Sequence, residues 1–242
     1  MYNENTLELT ALEWLANEWY EILHGPEIDP DSANPLRADY DEVVLKWVLK
    51  EQIIKINKWI TDEIVLEAVK QIITIGHPNL VESNHIFHRF LTDWVDIPYR
   101  RNDGSEATFK VYLVDTKNLE NNRFIAVNQF SIRGKKTRRP DILVFINGLP
   151  IAIFELKNPA DQNATIAGAY NQLQTYKNDI SDLFFYNEIL VISDGTEAKM
   201  WSLTANMDRF MSWKSIDGET KCSQVRQLEC LIKWAFEKSR LI

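Results

Sequence analysis

The sequence predicts a mixed α/β fold: a mixed central sheet flanked by helices, with an inserted helical lobe over residues 35–96, all within a single domain spanning 1–242. Three observations lead there. Apolar residues recur at helical spacing through the first third of the chain, and from Ala107 the pattern turns to β-rich alternation. The stretch Arg138 to Pro159, RRPDILVFINGLPIAIFELKNP, then reads as two apolar strands joined by a tight Asn147-Gly148 turn.

In chain order, Glu8 to Tyr20 spaces Leu9, Leu12, Leu15 and Trp19 as a helix, with Glu4, Glu8 and Glu13 loading its early turns. His24 to Asn34, HGPEIDPDSAN, holds two prolines and is expected as loop. Arg37 to Ile75 carries two apolar groups at helical intervals, one around Val44 to Leu49 and one from Ile64 to Ile73. A third helix is expected from about Leu80 to Val95. Ala107 to Val114 and Arg123 to Phe130 read as the first two strands, and the Asn147-Gly148 hairpin supplies the third and fourth. Asp161 to Asn178 returns to helix, Glu188 to Ser193 and Ala198 to Leu203 form a second hairpin about Asp194-Gly195, and Ser223 to Lys238 closes as an amphipathic helix. Trp47, Trp59 and Trp94 are expected in the core.

Composition narrows the function. A net charge of -8 excludes holding polyanions by bulk charge, so a nucleic-acid site must be a local patch. No apolar run approaches the roughly 18 to 20 residues of a membrane span, and the start MYNENTLEL is not a signal peptide, which predicts a cytoplasmic protein without a membrane partner. Cys222 and Cys230, eight apart, read as helix residues and exclude a disulfide framework or a four-cysteine metal site. His85 and His88 have helical spacing but no evident third ligand, and no phosphate-binding loop of the Walker A type occurs.

The chemistry gathers on the hairpin. Depending on where the turn is centred, Asp141 falls opposite Phe154 or Glu155, while Glu155 and Lys157 share a strand face. Glu155 follows the apolar run Ile151 to Phe154, where an ionised group is costly unless compensated. Asp141, Glu155 and the Leu156 carbonyl make a hard-oxygen set suited to Mg2+, with Mn2+ as a substitute, and Lys157 could orient a water or offset developing charge. That is the chemistry of phosphodiester hydrolysis. Before it, Ile132 to Arg139 carries Arg133, Lys135, Lys136, Arg138 and Arg139 and no acid, a segment able to steer a phosphate backbone. Arg100 and Arg101 are a weaker candidate for that role.

Pro140-Asp141 followed by Glu155-Leu156-Lys157 resembles the PD-(D/E)xK nuclease signature, and Gln172 and Tyr176 in AYNQLQTYK resemble the Gln-x-x-x-Tyr motif of its RecB-like branch. The runs ELKNP, AYNQLQTYK and VISDGTEAKMW, with the opening NENTLELTALEWL and HGPEIDP, are similar to the N-terminal nuclease domain of the R subunit of type I restriction enzymes. The resemblance covers nearly the whole chain and implies a restriction-endonuclease-like core. It implies that Asp141 and Glu155 bind magnesium, Lys157 assists the attacking water, Glu8 brings a third acid toward the metal, and Gln172 and Tyr176 position the catalytic residues or the DNA backbone. It further implies nonspecific cleavage of double-stranded DNA after ATP-driven translocation by motor domains not contained in this sequence. ATP would serve that motor alone, and the modification and specificity subunits of a restriction complex would be the protein partners. Two rivals stand beside this expectation: a stand-alone nuclease of the same superfamily, and a catalytically idle DNA-binding or docking module in which the hairpin only maintains the fold.

Overall fold

The computed structural model describes residues 4–101, 103–157, 165–213, 215, 216, 219, 222 and 227–242. Its centre is a seven-stranded mixed sheet built from β1 (Glu21–His24), β4 (Phe124–Asn128), β7 (Ile142–Ile146), β8 (Leu149–Leu156), β9 (Ile189–Ser193), β10 (Ala198–Trp201) and β11 (Met211–Ser212), in the order β1-β4-β7-β8-β9-β10-β11. The pairs β1–β4 and β8–β9 are parallel and the rest antiparallel. Strands β4, β7 and β8 are buried at every position, as strands covered on both faces must be.

The hairpin β7–β8 forms where the sequence places it. Asn147 and Gly148 both have positive φ (55° and 84°), the conformation a two-residue turn needs to match strand twist. Gly148 is required twice over, since a Cβ there would also stand 2.6 Å from the Leu45 carbonyl oxygen. Asn147 is fully buried; its side chain donates to the Leu113 carbonyl and accepts from the Arg123 amide. A register shift between Val144 and Phe145 sets Ile142 opposite Phe154, so Asp141 comes level with Glu155 one residue further on. Of the two registers open to the sequence, the bulge selects the one that brings the carboxylates to the same level.

Helices cover both faces. Phe154 meets Phe236 at 4.9 Å between ring centroids, beneath α1 (Glu4–Asn17) and α7 (Gln227–Ala235), which pack on each other. The next residue, Glu155, points the other way, toward α6 (Ile166–Asp179), which packs on β8 and β9. Two four-residue helices, α2 (Gly25–Ile28) and α8 (Lys238–Leu241), complete the set. The inserted lobe is present as α3 (Lys46–Ile56), α4 (Asp62–Ile73) and α5 (Leu80–Thr92), with Thr61 and Asn79 capping the last two. It meets the turn end of the hairpin, where the Leu45 amide donates to the Gly148 carbonyl. At roughly 3.3 Å per residue, that contact lies about 20 Å from Glu155.

Several sequence expectations are corrected. The first expected strand does not enter the central sheet: β3 (Glu106–Val111) pairs only with β2 (Val95–Arg100), in a ribbon lying against α4. The sheet takes its edge instead from Glu21–His24, partly assigned to loop, because four residues paired in parallel with Phe124–Asn128 and largely exposed carry no apolar alternation. Trp47 and Trp59 are not core residues; they are 63% and 94% exposed, Trp47 on the outward face of its helix and Trp59 in a turn after it, with φ 66°. Cys222 lies before α7 rather than on a closing helix, and the structure joins it to Cys230 in a disulfide with Cα atoms 6.3 Å apart. The expected helix at Asp161 begins, among the described residues, at Ile166, and Asn158 and Pro159 of ELKNP lie outside them. No helix among the described residues is long and apolar enough to cross a membrane.

Candidate active site

The register that brings Asp141 level with Glu155 creates the site at the open end of the hairpin. Asp141 Oδ2 accepts the Leu156 amide at 2.6 Å, locking the two strands where the ladder ends. Glu155 is fully buried, and taking its charge out of water costs several kcal/mol unless it is met. Lys157 meets it: Nζ stands 2.6 Å from Glu155 Oε1 and also 2.6 Å from Gln172 Oε1. The Lys157 backbone is fixed from the other side, its amide donating to the Ser193 carbonyl at the end of β9. There the Ser193 hydroxyl binds the Asp194–Glu197 turn, accepting from the Gly195 amide and donating to the Glu197 carbonyl.

Gln172 and Tyr176, one turn apart on α6, face the same place. The Gln172 amide donates from Nε2 to the Tyr176 hydroxyl at 2.6 Å, and that hydroxyl donates to the Arg139 carbonyl at 3.4 Å. The direction of these bonds fixes the amide: with its nitrogen committed to Tyr176, its oxygen must face Lys157. Burial, and then the charge of Glu155, push the Tyr176 phenol far above its ordinary value, so it remains a neutral donor.

Glu8, Asp141, Lys157, Gln172, Arg139, Gln129 and Asn5 line one polar cleft of about 510 Å³. Residues from α1, from just before β7, from just after β8 and from α6 thus converge, while Glu155 sits buried behind Lys157. Glu8 is nearly buried and is held by neighbours absent from the sequence-level candidates: Asn128 donates to it at 2.7 Å and Gln129 to both of its oxygens at 3.1 and 2.8 Å. The available signal was the polar pair Asn128-Gln129 ending the apolar run Phe124 to Val127, the same signal that singles out Glu155.

The donor set is all oxygen, which suits a hard divalent cation. Among the described residues no three His, Cys, Asp or Glu side chains stand close enough together to hold an ion, so a three-acid cluster including Glu8 is not assembled. A magnesium ion needs only one or two carboxylates when water and substrate phosphate complete its shell, and Asp141 with Glu155 fits that smaller set.

The basic segment folds into a two-stranded ribbon, β5 (Ile132–Arg133) and β6 (Thr137–Arg138), that runs directly into Asp141. Its turn docks on the end of α6: the Lys135 amide donates to the Asp179 carbonyl at 2.8 Å, and a Cβ on Gly134 would stand 2.2 Å from that oxygen. The five cations are not equivalent. Arg133 pairs with Asp39 and Arg138 with Asp179, whose carboxyl is held below its ordinary range chiefly by that hydrogen bond. Lys135 donates to Asn178, Lys136 is exposed, and Arg139 reaches the cleft. Arg100 and Arg101 lie on the separate β2–β3 ribbon. His85 and His88 are exposed, and His88 pairs with Glu188.

Residues 1–209 match the family model described as the type I restriction enzyme R protein N terminus. This chain belongs to that family. The HindI endonuclease subunit of a type I restriction enzyme from Haemophilus influenzae is 38% identical over 93% of this chain, which covers 21% of that relative. The protein named as the MjaIXP endonuclease subunit of Methanocaldococcus jannaschii is 36% identical over 88% of the chain and 20% of its own length. The chain therefore spans about a fifth of the length of these relatives. The matched region contains every residue of the cleft, from Glu8 through the β7–β8 edge to Gln172 and Tyr176.

Proposed function

We propose that this chain is the DNA-cleaving domain of a type I restriction enzyme R subunit and hydrolyses phosphodiester bonds with magnesium. The observation that carries the reading is Lys157, shared at 2.6 Å between a fully buried carboxylate and the amide of Gln172, beside Asp141 in an open polar cleft. A structural ion pair needs no such amide and no cleft.

In this reading Asp141, Glu155 and the Leu156 carbonyl hold the cation, which when bound polarises a phosphoryl oxygen and lowers the pKa of a water. Lys157 orients the attacking water or offsets charge developing on the phosphate. Gln172 and Tyr176 hold the ammonium in place. Lys136 and Arg139 draw the DNA backbone toward Asp141. Cleavage in this reading is nonspecific, with sequence recognition left to modification and specificity subunits. The length of the relatives leaves room for an ATP-driven motor that brings DNA to this site, in the cytoplasmic setting of a restriction system.

The test is nicking of supercoiled plasmid by this chain in magnesium or manganese, alongside Asp141→Asn and Lys157→Ala checked for folding by circular dichroism. This chain by itself should nick weakly and only with metal, and both variants should not nick at all. Equal nicking by wild type and the folded variants would overturn the assignment.

A further inference from the structure

Glu8 belongs to the first helix and Asp141 to the hairpin, and Gln129 joins them. Its amide N–H donates to the Asp141 carbonyl at 3.3 Å, and its side-chain Nε2 reaches both Glu8 oxygens. Gln129 has φ 57°, a left-handed conformation that residues other than glycine seldom adopt. In a regular strand Asn128 and Gln129 would point to opposite faces; the reversal at Gln129 lets both amides donate to one carboxylate. The backbone there packs tightly: Gly25 lies so close that a Cβ on it would come 2.3 Å from the Gln129 carbonyl oxygen. Because Asn128 gives its nitrogen to Glu8, its oxygen must accept, so His24 Nδ1, 2.9 Å away, is the donor. Three N–H groups from two adjacent side chains thus aim the Glu8 carboxylate at the cleft it lines with Asp141 and Lys157.

We propose that Gln129, backed by Asn128, is a positioning residue that fixes Glu8 in register with Asp141, so that Glu8 holds the hydration shell of the cation bound there. The proposal rests on the metal-dependent nuclease reading above. Glu8 then acts through metal-bound water rather than as a third direct ligand, consistent with the absence of a three-acid cluster among the described residues.

The test measures Mn2+ binding to this chain by water-proton relaxation, and magnesium-dependent plasmid nicking, for wild type, Glu8→Gln, Gln129→Met and the double variant. Gln129→Met keeps the volume and removes the donors; it is expected to raise the half-saturating Mn2+ concentration about tenfold, as loss of an outer-shell partner does. The metal concentration needed for half-maximal nicking should rise in step. The double variant should bind no more weakly than Glu8→Gln alone, because the two residues act through one contact. If Gln129→Met does not fold, Gln129→Gly, which suits the left-handed backbone and likewise removes the donors, is expected to weaken binding in the same way. Wild-type Mn2+ affinity in a folded Gln129 variant, or additive losses in the double variant, would overturn this proposal and leave the nuclease reading standing. Absence of both metal binding and nicking in wild type would overturn both.

Discussion

Lys157 Nζ lies 2.6 Å from Glu155 Oε1 and 2.6 Å from Gln172 Oε1, so one ammonium ties the end of β8 to α6. Its first duty is to the fold. Glu155 is fully buried, and removing one partner of a buried pair costs about 3 to 5 kcal/mol because the other charge remains out of water. Lys157→Met should lower unfolding stability by that order in urea titrations, and Glu155→Gln in the same chain should recover much of the loss. A Lys157→Met single variant as stable as wild type would show that the pair is not a structural requirement.

The relay from Tyr176 through Gln172 to Lys157 makes a separate prediction. Tyr176→Phe removes the hydroxyl that accepts from Gln172 and donates to the Arg139 carbonyl. The stability cost should be modest, about 1 kcal/mol for hydrogen bonds of this kind. The amide of Gln172 is then free to turn, and the orientation of Lys157 goes with it. Metal-dependent nicking should therefore fall further than stability. Rates unchanged in Tyr176→Phe would place the tyrosine outside the machinery.

Much of this site was legible in the sequence because its signals are local. An apolar run ending in Glu155, a turn dipeptide before it and two residues at i, i+4 need only backbone periodicity to be interpreted. What stayed hidden depends on pairing over distance. The Gln129 contact with Glu8 spans 121 residues and leaves no periodic trace. Glu106–Val111 has strand propensity, but propensity does not name a partner, so its place in a ribbon with Val95–Arg100 could not be foreseen. Glu21–His24 is a strand only because Phe124–Asn128 lies alongside it. The disulfide between Cys222 and Cys230 escaped for a related reason: helical spacing suggested both on one helix, whereas only Cys230 lies on α7.

Three buried phenols set the alkaline limit of the fold. Burial is the largest cause raising Tyr20, Tyr176 and Tyr186 above their ordinary value, with the nearby charges of Glu18, Glu155 and Asp182 adding to it respectively. Each group is neutral in both folded and unfolded chains below about pH 10, so the stability linked to it is complete there. As pH rises from that value toward the raised folded values, the unfolded chain loses protons that the folded chain keeps, and stability falls by about 1.4 kcal/mol per pH unit per group. Phenolate absorbance should therefore show a fraction of the eight tyrosines titrating only together with loss of helical circular dichroism. A smooth titration of all eight near pH 10 in a folded chain would contradict this account.

Four of the five cations in the basic segment fall into two kinds, and DNA binding should show the division. Arg133 and Arg138 are committed to Asp39 and Asp179, and a guanidinium already facing a carboxylate releases few counterions when DNA arrives. Lys136 is exposed and Arg139 opens into the cleft. Replacing Lys136 or Arg139 with alanine should reduce the slope of log affinity against log salt by about 0.9 each, one phosphate contact apiece. Arg138→Ala should change the slope less but lower stability, because it strips the partner from Asp179 at the end of α6, where the ribbon turn docks through Gly134. Fluorescence anisotropy over a salt series, with a plain duplex and the variants side by side, separates the two kinds. Equal slope changes for all four residues would mean that the ion pairs open on binding and that the whole ribbon lies against the phosphates.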